Sequence, residues 1–456
     1  MKHKRISVLI IGLALLLTTF AGAQAATREL VVTVPNTTGQ PVPVAISFDD
    51  LRTAIGLDFP ANWDSIRVYN ASGQVIPYQI DDIDLSGSLS GADELSCLAT
   101  GNITIKLNDE DEAIKPRYAN AFTIEKENGI DVIRTLDGQL AAEITPFGTV
   151  NLVKAFGIED VFVQSVGALR YAGWPESRWY TENELGPHRE FNTFEEPLRL
   201  AKQQISTTTP VRVVIINKVA SDVFPGLRGT IAVSVWATGE VSASYNLKMG
   251  AYTDLTKLMP FVGGVMANSN DTSHILPAFR WLDWAEEQGI SSAAYYKDRD
   301  AIISQYNNNY IIFPANKAPQ PLFWGASYIF ASAERWRTNY SAEKQLGLAE
   351  MLPILPAVPT DLVGKLEGVN WHLEGEWRTG YFRWIADEIV SFRKNNNIPV
   401  DIVTDMVKGD WTLHSQPSES FNFLFYYVPY QASDAKASIS FLENRYAEIA
   451  GVDIGQ

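Results

Sequence analysis

From Arg28 to Met249 the chain is a succession of short apolar–polar alternating runs, cut by Gly, Pro, Asn and Asp. "RELVVTVPNTTGQPVPVAISF", "SIRVYNASGQVIPYQI", "NITIKLN", "GIDVIRTLDGQLAAEIT", "PVRVVIINKVA" and "LRGTIAVSVWATGEVSASYNLKM" are examples. Alternation at a period of two presents one apolar face and suits a strand; a helix needs a period of about 3.6. This many strand-sized runs with turn residues between them limits the chain to a mainly β fold built from antiparallel sheets. Asn70-Ala71-Ser72-Gly73 and Thr238-Gly239-Glu240 each read as hairpin turns.

The runs group into a small N-terminal β-sandwich over residues 27–120, then a large super-sandwich-like β domain over 121–456. After about residue 270 the texture changes. "LPAFRWLDWAEEQG", "AEKQLGLAEML", "GYFRWIADEIVSFRKNNN" and "KASISFLENRYAEIAG" read as added C-terminal helices, with "YIIFP" and "FNFLFYYVPY" as interleaved strands. Residues 1–25 read as a secretory signal peptide. Lys2, Lys4 and Arg5 precede the apolar run from Ile6 to Phe20, and Ala21-Gly22-Ala23-Gln24-Ala25 offers small-residue cleavage sites. The expected location is therefore secreted or periplasmic. No later run is long and apolar enough for a membrane span.

The formal net charge of −16 argues against nucleic acid as a partner, because phosphate binding needs a basic face. It leaves room for a basic cleft that takes an anionic polysaccharide. Cys97 is the only cysteine, so no intrachain disulfide forms, and its apolar context "ELSCLATG" points to a buried inert thiol.

Three segments could carry chemistry. In "QIDDIDLSGSLSGADE", Asp82, Asp84, Ser86, Gly87 and Asp93 fall on the spacing of a calcium loop, with Asp93 in place of the usual Glu. A structural calcium ion is one reading; a polar turn held by Asx hydrogen bonds is the other. The second segment, "GWPESRWYTENELGPHREFNTFEEPLR", is a long polar and aromatic connection between strands. A uronate lyase needs a cation to neutralise the sugar carboxylate, a base and an acid. His188 would be the base, Tyr180 the acid, and Arg178 or Arg189 the neutraliser, with Trp174 and Trp179 as stacking faces for substrate. The alternative is a surface loop pinned by ion pairs and Trp packing. The third is "VNWHLEGEWRTGYFRW". His372, Glu374 and Glu376 alternate, beside Trp371 and Trp377, so the segment could bind substrate or supply a glycosidase's two carboxylates. A half-exposed strand is the simpler reading. His274 and His414 stand alone. No usable serine-hydrolase, phosphate-loop or dinucleotide glycine motif is present.

The text "VIPYQIDDIDLSGSLSGADELSCLA" resembles the N-terminal β-domain of secreted polysaccharide-degrading proteins. These are exo-rhamnogalacturonan-lyase-like proteins and a pectin-degradation group of the galactose-mutarotase-like super-sandwich type. Pro77, Gln79, Asp81, Asp82, Asp84, Asp93, Glu94 and Leu95 carry the likeness, which covers residues 28 to 107. The loop here is three residues longer than the family text. The resemblance implies carbohydrate chemistry and transfers no catalytic residue. The reading that follows is a secreted carbohydrate-active enzyme, a polysaccharide lyase cleaving uronic-acid-containing glycans. The alternatives are a glycoside hydrolase using Glu374 and Glu376, or a non-catalytic glycan-binding or cell-surface protein.

Overall fold

The computed structural model describes residues 26–56, 62–109, 113–145, 148, 150–159, 165–173, 189–192, 199–221, 227–249, 254–262, 272–277, 310–314, 336–351, 353, 369–374, 379–384, 413–414 and 419–455. Residues 1–25, read above as a signal peptide, lie outside them. The architecture is mainly β, with antiparallel pairing throughout and two helices among the described residues.

The first six strands form a small two-layer sandwich. They are β1 (Thr27–Val32), β2 (Val42–Ser47), β3 (Asn62–Asn70), β4 (Tyr78–Asp81), β5 (Glu94–Ala99) and β6 (Ile103–Asn108). One sheet has the order β1-β6-β3 and the other β2-β5-β4. The alternating burial of β6 follows the sequence "ITIKLN": Ile103, Ile105 and Leu107 point into the core. The Asn70–Gly73 turn forms, but Tyr69↔Val75 is its one bridge. Beyond Pro77 the second strand leaves for the other sheet, so the expected hairpin is a crossover between layers. A helix the alternation did not announce, α1 (Phe48–Ile55), follows β2. Ser47 caps it by accepting the Asp50 N–H, and Gly56 ends it at φ 60°. Cys97 is fully buried in this core, which pushes its thiol up to about 12 and leaves it unreactive.

Two large sheets follow. The first, of 11 strands, has the order β23-β24-β18-β12-β10-β9-β8-β7, with β11 on β10, β13 on β12 and β25 on β18. Its members are β7 (Phe122–Glu127), β8 (Ile130–Thr135), β9 (Ala141–Ile144), β10 (Val150–Ala155), β11 (Ile158–Glu159), β12 (Ser165–Gly173), β13 (Arg189–Asn192), β18 (Asp254–Val262), β23 (Val369–Glu374), β24 (Thr379–Trp384) and β25 (Leu413–His414). The second, of 9 strands, has the order β14-β15-β16-β17-β26-β22-β21-β19-β20. It contains β14 (Arg199–Ile205), β15 (Arg212–Ala220), β16 (Leu227–Trp236), β17 (Val241–Met249), β19 (Thr272–Pro277), β20 (Tyr310–Pro314), β21 (Trp336–Ser341), β22 (Leu346–Met351) and β26 (Glu419–Gln431). β12 lies across β16 and β17, so the two sheets face each other. At one seam the Asn217 amide donates to the Gly148 carbonyl at 2.6 Å.

α2 (Ala435–Ala450) covers the far side of the second sheet, as "KASISFLENRYAEIAG" leads one to expect. Ile439, Leu442 and Ile449 pack on Trp336, Met351, Tyr426 and Val428. Two other helix expectations fail. "AEKQLGLAEML" is a turn followed by β22, every residue of which is buried between β21 and β26. "GYFRW" is strand β24, and the rest of that segment lies outside the described residues, as does "RWLDWAEEQG". Burial on both faces erases the alternation that marks a strand, and Leu, Ala, Glu and Met then read as helix formers.

Candidate functional site

The loop from Asp82 to Asp93 joins β4 to β5. Asp82, Asp84 and Asp93 each bring a carboxylate oxygen within 4.8 Å of the others. Three of the four residues expected as ligands therefore converge. The fourth, Ser86, donates its hydroxyl to the Ser88 carbonyl at 2.7 Å. Backbone N–H groups hold the carboxylates: Ser86 and Gly87 donate to Asp82, Ser86 also to Asp84, Ile83 and Ser90 to Asp93. Gly87 at φ 77° lets the chain fold back on itself. Burial works to raise the Asp84 carboxyl, but hydrogen bonds from Ser86 and Ser90 carry it below its ordinary value. Asp93 goes the other way: burial raises it, and the nearby Asp82 and Asp84 charges add to the effect. The apolar side of the loop docks on the second large sheet, with Leu85 and Ile83 against Val214, Ile216 and Ala232.

The neighbouring family-like residues do a different job. Gln79 and Asp81 share one face of β4, and Asp81 sits in register with Glu94 on β5. Two carboxylates directly opposite on paired strands repel. Arg212, at the start of β15, resolves this. Its Nη2 donates to Asp81 Oδ2 and to Glu94 Oε2, both at 2.8 Å, and its Nε donates to Asp81 Oδ2 at 3.0 Å. The Gln79 carbonyl accepts from the Val211 and Arg212 backbone N–H groups, and its amide donates to Asp81. The guanidinium lies 4.9 Å from the centre of the Trp236 ring. Burial opposes its charge, but Asp81 and Glu94 outweigh this and hold the guanidinium more firmly protonated than usual. Gln79, Asp81 and Glu94 thus lock the sandwich to the second large sheet. Nothing in the linear text around Arg212 signals this role.

A second lock lies at α2. Arg445 is fully buried and donates to Glu240, to Glu448 at 2.9 Å and to the Pro41 carbonyl at 2.8 Å. Glu448 accepts from the backbone N–H and hydroxyl of both Thr37 and Thr38. Past α2, Asp453 bridges Thr33 of the sandwich.

Of the expected catalytic residues, His188, Tyr180 and Arg178 lie outside the described residues, as do Trp174, Trp179, Trp377 and Glu376. Backbone register locates the segments that bound them. Arg189 opens β13 and pairs with Gly173, which pairs with Leu255 on β18. The connection 174–188 therefore emerges at the Asp254 end of β18. His414 is in register with Asp254 and so belongs to the same end of the sheet. Trp371, His372 and Glu374 lie on β23, paired with β24. β24 runs antiparallel to β18 and meets it at Leu258↔Trp384. Glu374 and Thr379, in register with each other, thus lie toward the Val262 end. Arg189 and the paired Glu374 and Thr379 share one sheet but lie toward opposite ends of its strands.

No family model matches the chain, and no curated protein matches it. Among solved structures, it is similar to an α-N-acetylgalactosaminidase from Bifidobacterium bifidum, at 8% identity and a TM-score of 0.34, over 71% of this chain and 39% of that one. It is also similar to a putative aldose 1-epimerase from Escherichia coli K12, at 10% identity and a TM-score of 0.31, over 65% of this chain and 97% of that one. The chain thus spans less than half the length of the galactosaminidase. At TM-scores below 0.5 these likenesses carry no argument about its chemistry.

Proposed function

We propose that the protein is a secreted or periplasmic carbohydrate-active enzyme, a polysaccharide lyase that cleaves uronic-acid-containing glycans by β-elimination. The observation that supports this reading is the register at the Asp254 end of the first large sheet. There Arg189, the connection that contains Tyr180 and His188, and His414 belong to one stretch of strand ends. A loop cluster on a rigid sheet is where binding and catalytic groups concentrate. In the proposed reaction Arg189 or Arg178 neutralises the uronate carboxylate, which acidifies the neighbouring C–H. His188 takes that proton, the C–O bond to the leaving sugar breaks, a ring C=C forms, and Tyr180 protonates the departing oxygen. Trp174 and Trp179 stack on sugar rings, and Trp371, Trp377, His372, Glu374 and Glu376 extend the binding surface.

The loop Asp82–Asp93 is proposed to hold a structural calcium ion through Asp82, Asp84 and Asp93. An all-oxygen donor set suits that ion, and three converging carboxylates repel one another without a cation. Asp93 Oδ1 already accepts from the Ile83 N–H and the Ser90 hydroxyl, but its Oδ2, which accepts from the Ser90 N–H, keeps a lone pair for a metal. The ion's contribution is rigidity in the loop that docks on the second sheet.

Incubation with pectic, alginate and glycosaminoglycan polymers tests the reaction. An ultraviolet-absorbing unsaturated uronate is expected from at least one. New reducing ends without unsaturation, lost in Glu376→Gln, would instead assign a hydrolase, and glycan binding without turnover a binding protein.

A further inference from the structure

A cleft of about 530 Å³ opens where the sandwich meets the second large sheet. That is within the range, roughly 300 to 1,000 Å³, of pockets that hold small organic ligands. Its walls are Tyr78 on β4, the segment from Ile114 to Asn120, and Thr207 and Thr208 between β14 and β15. The segment is fixed at both ends. Arg67 donates to the Ile114 carbonyl at 3.0 Å. Asn120 accepts from the Thr209 N–H at 2.9 Å, and the Ala121 N–H donates to the Thr209 carbonyl at 2.7 Å. The cleft is therefore preformed.

Its chemistry is unlike the rest of this acidic chain. Lys115 and Arg117 are both exposed on its rim, and among the described residues no carboxylate pairs with either. Tyr118 stacks edge-on against Tyr78, with ring centres 5.6 Å apart. The Tyr78 hydroxyl is satisfied by the Ile66 carbonyl at 2.8 Å. The Tyr118 hydroxyl is buried and has no hydrogen-bond partner among the described residues. Being closed off from solvent, that hydroxyl is out of a ligand's reach, and Tyr118 offers the cleft only its half-buried ring.

We propose that this cleft is a binding subsite for a carboxylated sugar, separate from the 174–189 and 369–384 segments. Lys115 and Arg117 take the carboxylate, Thr207 and Thr208 meet ring hydroxyls, and the Tyr118 ring with Ile80 and Pro116 supplies an apolar wall. An inorganic anion would leave that wall and the two threonines unused. The choice of a uronate rests on the acidic-glycan reading above; the site itself rests on the cleft's own geometry.

Digalacturonate and its neutral disaccharide counterpart serve as probes, titrated by calorimetry into the full chain carrying His188→Ala to prevent turnover. Thr208→Val removes only an exposed hydroxyl, and Lys115→Ala with Arg117→Ala removes only exposed cations, so melting temperatures should hold. The double variant should weaken digalacturonate binding about tenfold or more, the size expected for losing charge-assisted hydrogen bonds. Thr208→Val should weaken it several-fold, and the neutral disaccharide should bind more weakly than the acidic one. Digalacturonate affinity unchanged in both variants, or no binding at all, overturns the subsite. Elimination is assayed separately in the chain that keeps His188: binding that depends on Lys115, Arg117 and Thr208 without elimination there supports the subsite and sinks the lyase, and elimination there with unchanged binding in the cleft variants does the reverse.

Discussion

At the residue scale, Arg212 decides the most. Its guanidinium holds two carboxylates that are register partners and would otherwise repel. Removing one partner of a buried ion pair leaves uncompensated charge and costs about 3 to 5 kcal/mol. Arg212→Ala should therefore lower unfolding free energy by about that much, read by denaturant titration. Arg212→Lys should recover part of it, because an ammonium cannot span both carboxylates with the same forked geometry. Asp84 gives a second test. If the loop holds calcium, adding the ion should raise the melting temperature, and Asp84→Ala should abolish the rise. The rise should also shrink as pH falls through the elevated Asp93 value, because a protonated carboxyl is a poor ligand. No shift at neutral pH would leave the loop as a polar turn.

At the element scale, α2 is the clasp that returns the C-terminus to the sandwich. Burial works against the Glu448 carboxylate, but hydrogen bonds from Thr38 and Arg445 carry its pKa below the ordinary glutamate value. For a depressed carboxyl, the stabilisation is complete above the unfolded value and is lost as pH falls through the folded one. Amide protection across α2 and Thr37–Thr38, measured relative to the intrinsic exchange rate at each pH, should therefore fall in acid, and Glu448→Gln should flatten that pH dependence. The same scale shows what the sequence could reveal. Strands with one wet face, such as β6 and β17, were legible from alternation, and α2 from its periodicity and Gly451. β22 was not, because both its faces are covered and Gly347 lies against the Tyr430 ring, where a Cβ would fall 2.3 Å from a ring carbon. Around the loop, the convergence of Asp82, Asp84 and Asp93 could be read from spacing. The work of Gln79, Asp81 and Glu94 could not, since Glu94's partner Arg212 is 118 residues away.

At the scale of the whole molecule, a small sandwich is bolted to the second of two facing sheets by Arg212 and, through α2, by Arg445. The family-like text around Gln79 and Glu94 is thereby structural: it fixes the relation of the layers rather than taking part in a reaction. The proposed chemistry belongs instead to the strand ends at Asp254, with a second carbohydrate contact at the Tyr118 cleft. The most direct measurement is the ultraviolet absorbance of unsaturated uronate released from an acidic polysaccharide by the purified protein, compared with His188→Ala of unchanged melting temperature. The expected result is a steady rise in absorbance that the variant lacks. No rise on any uronate polymer, or an equal rise from the variant, would contradict the assignment.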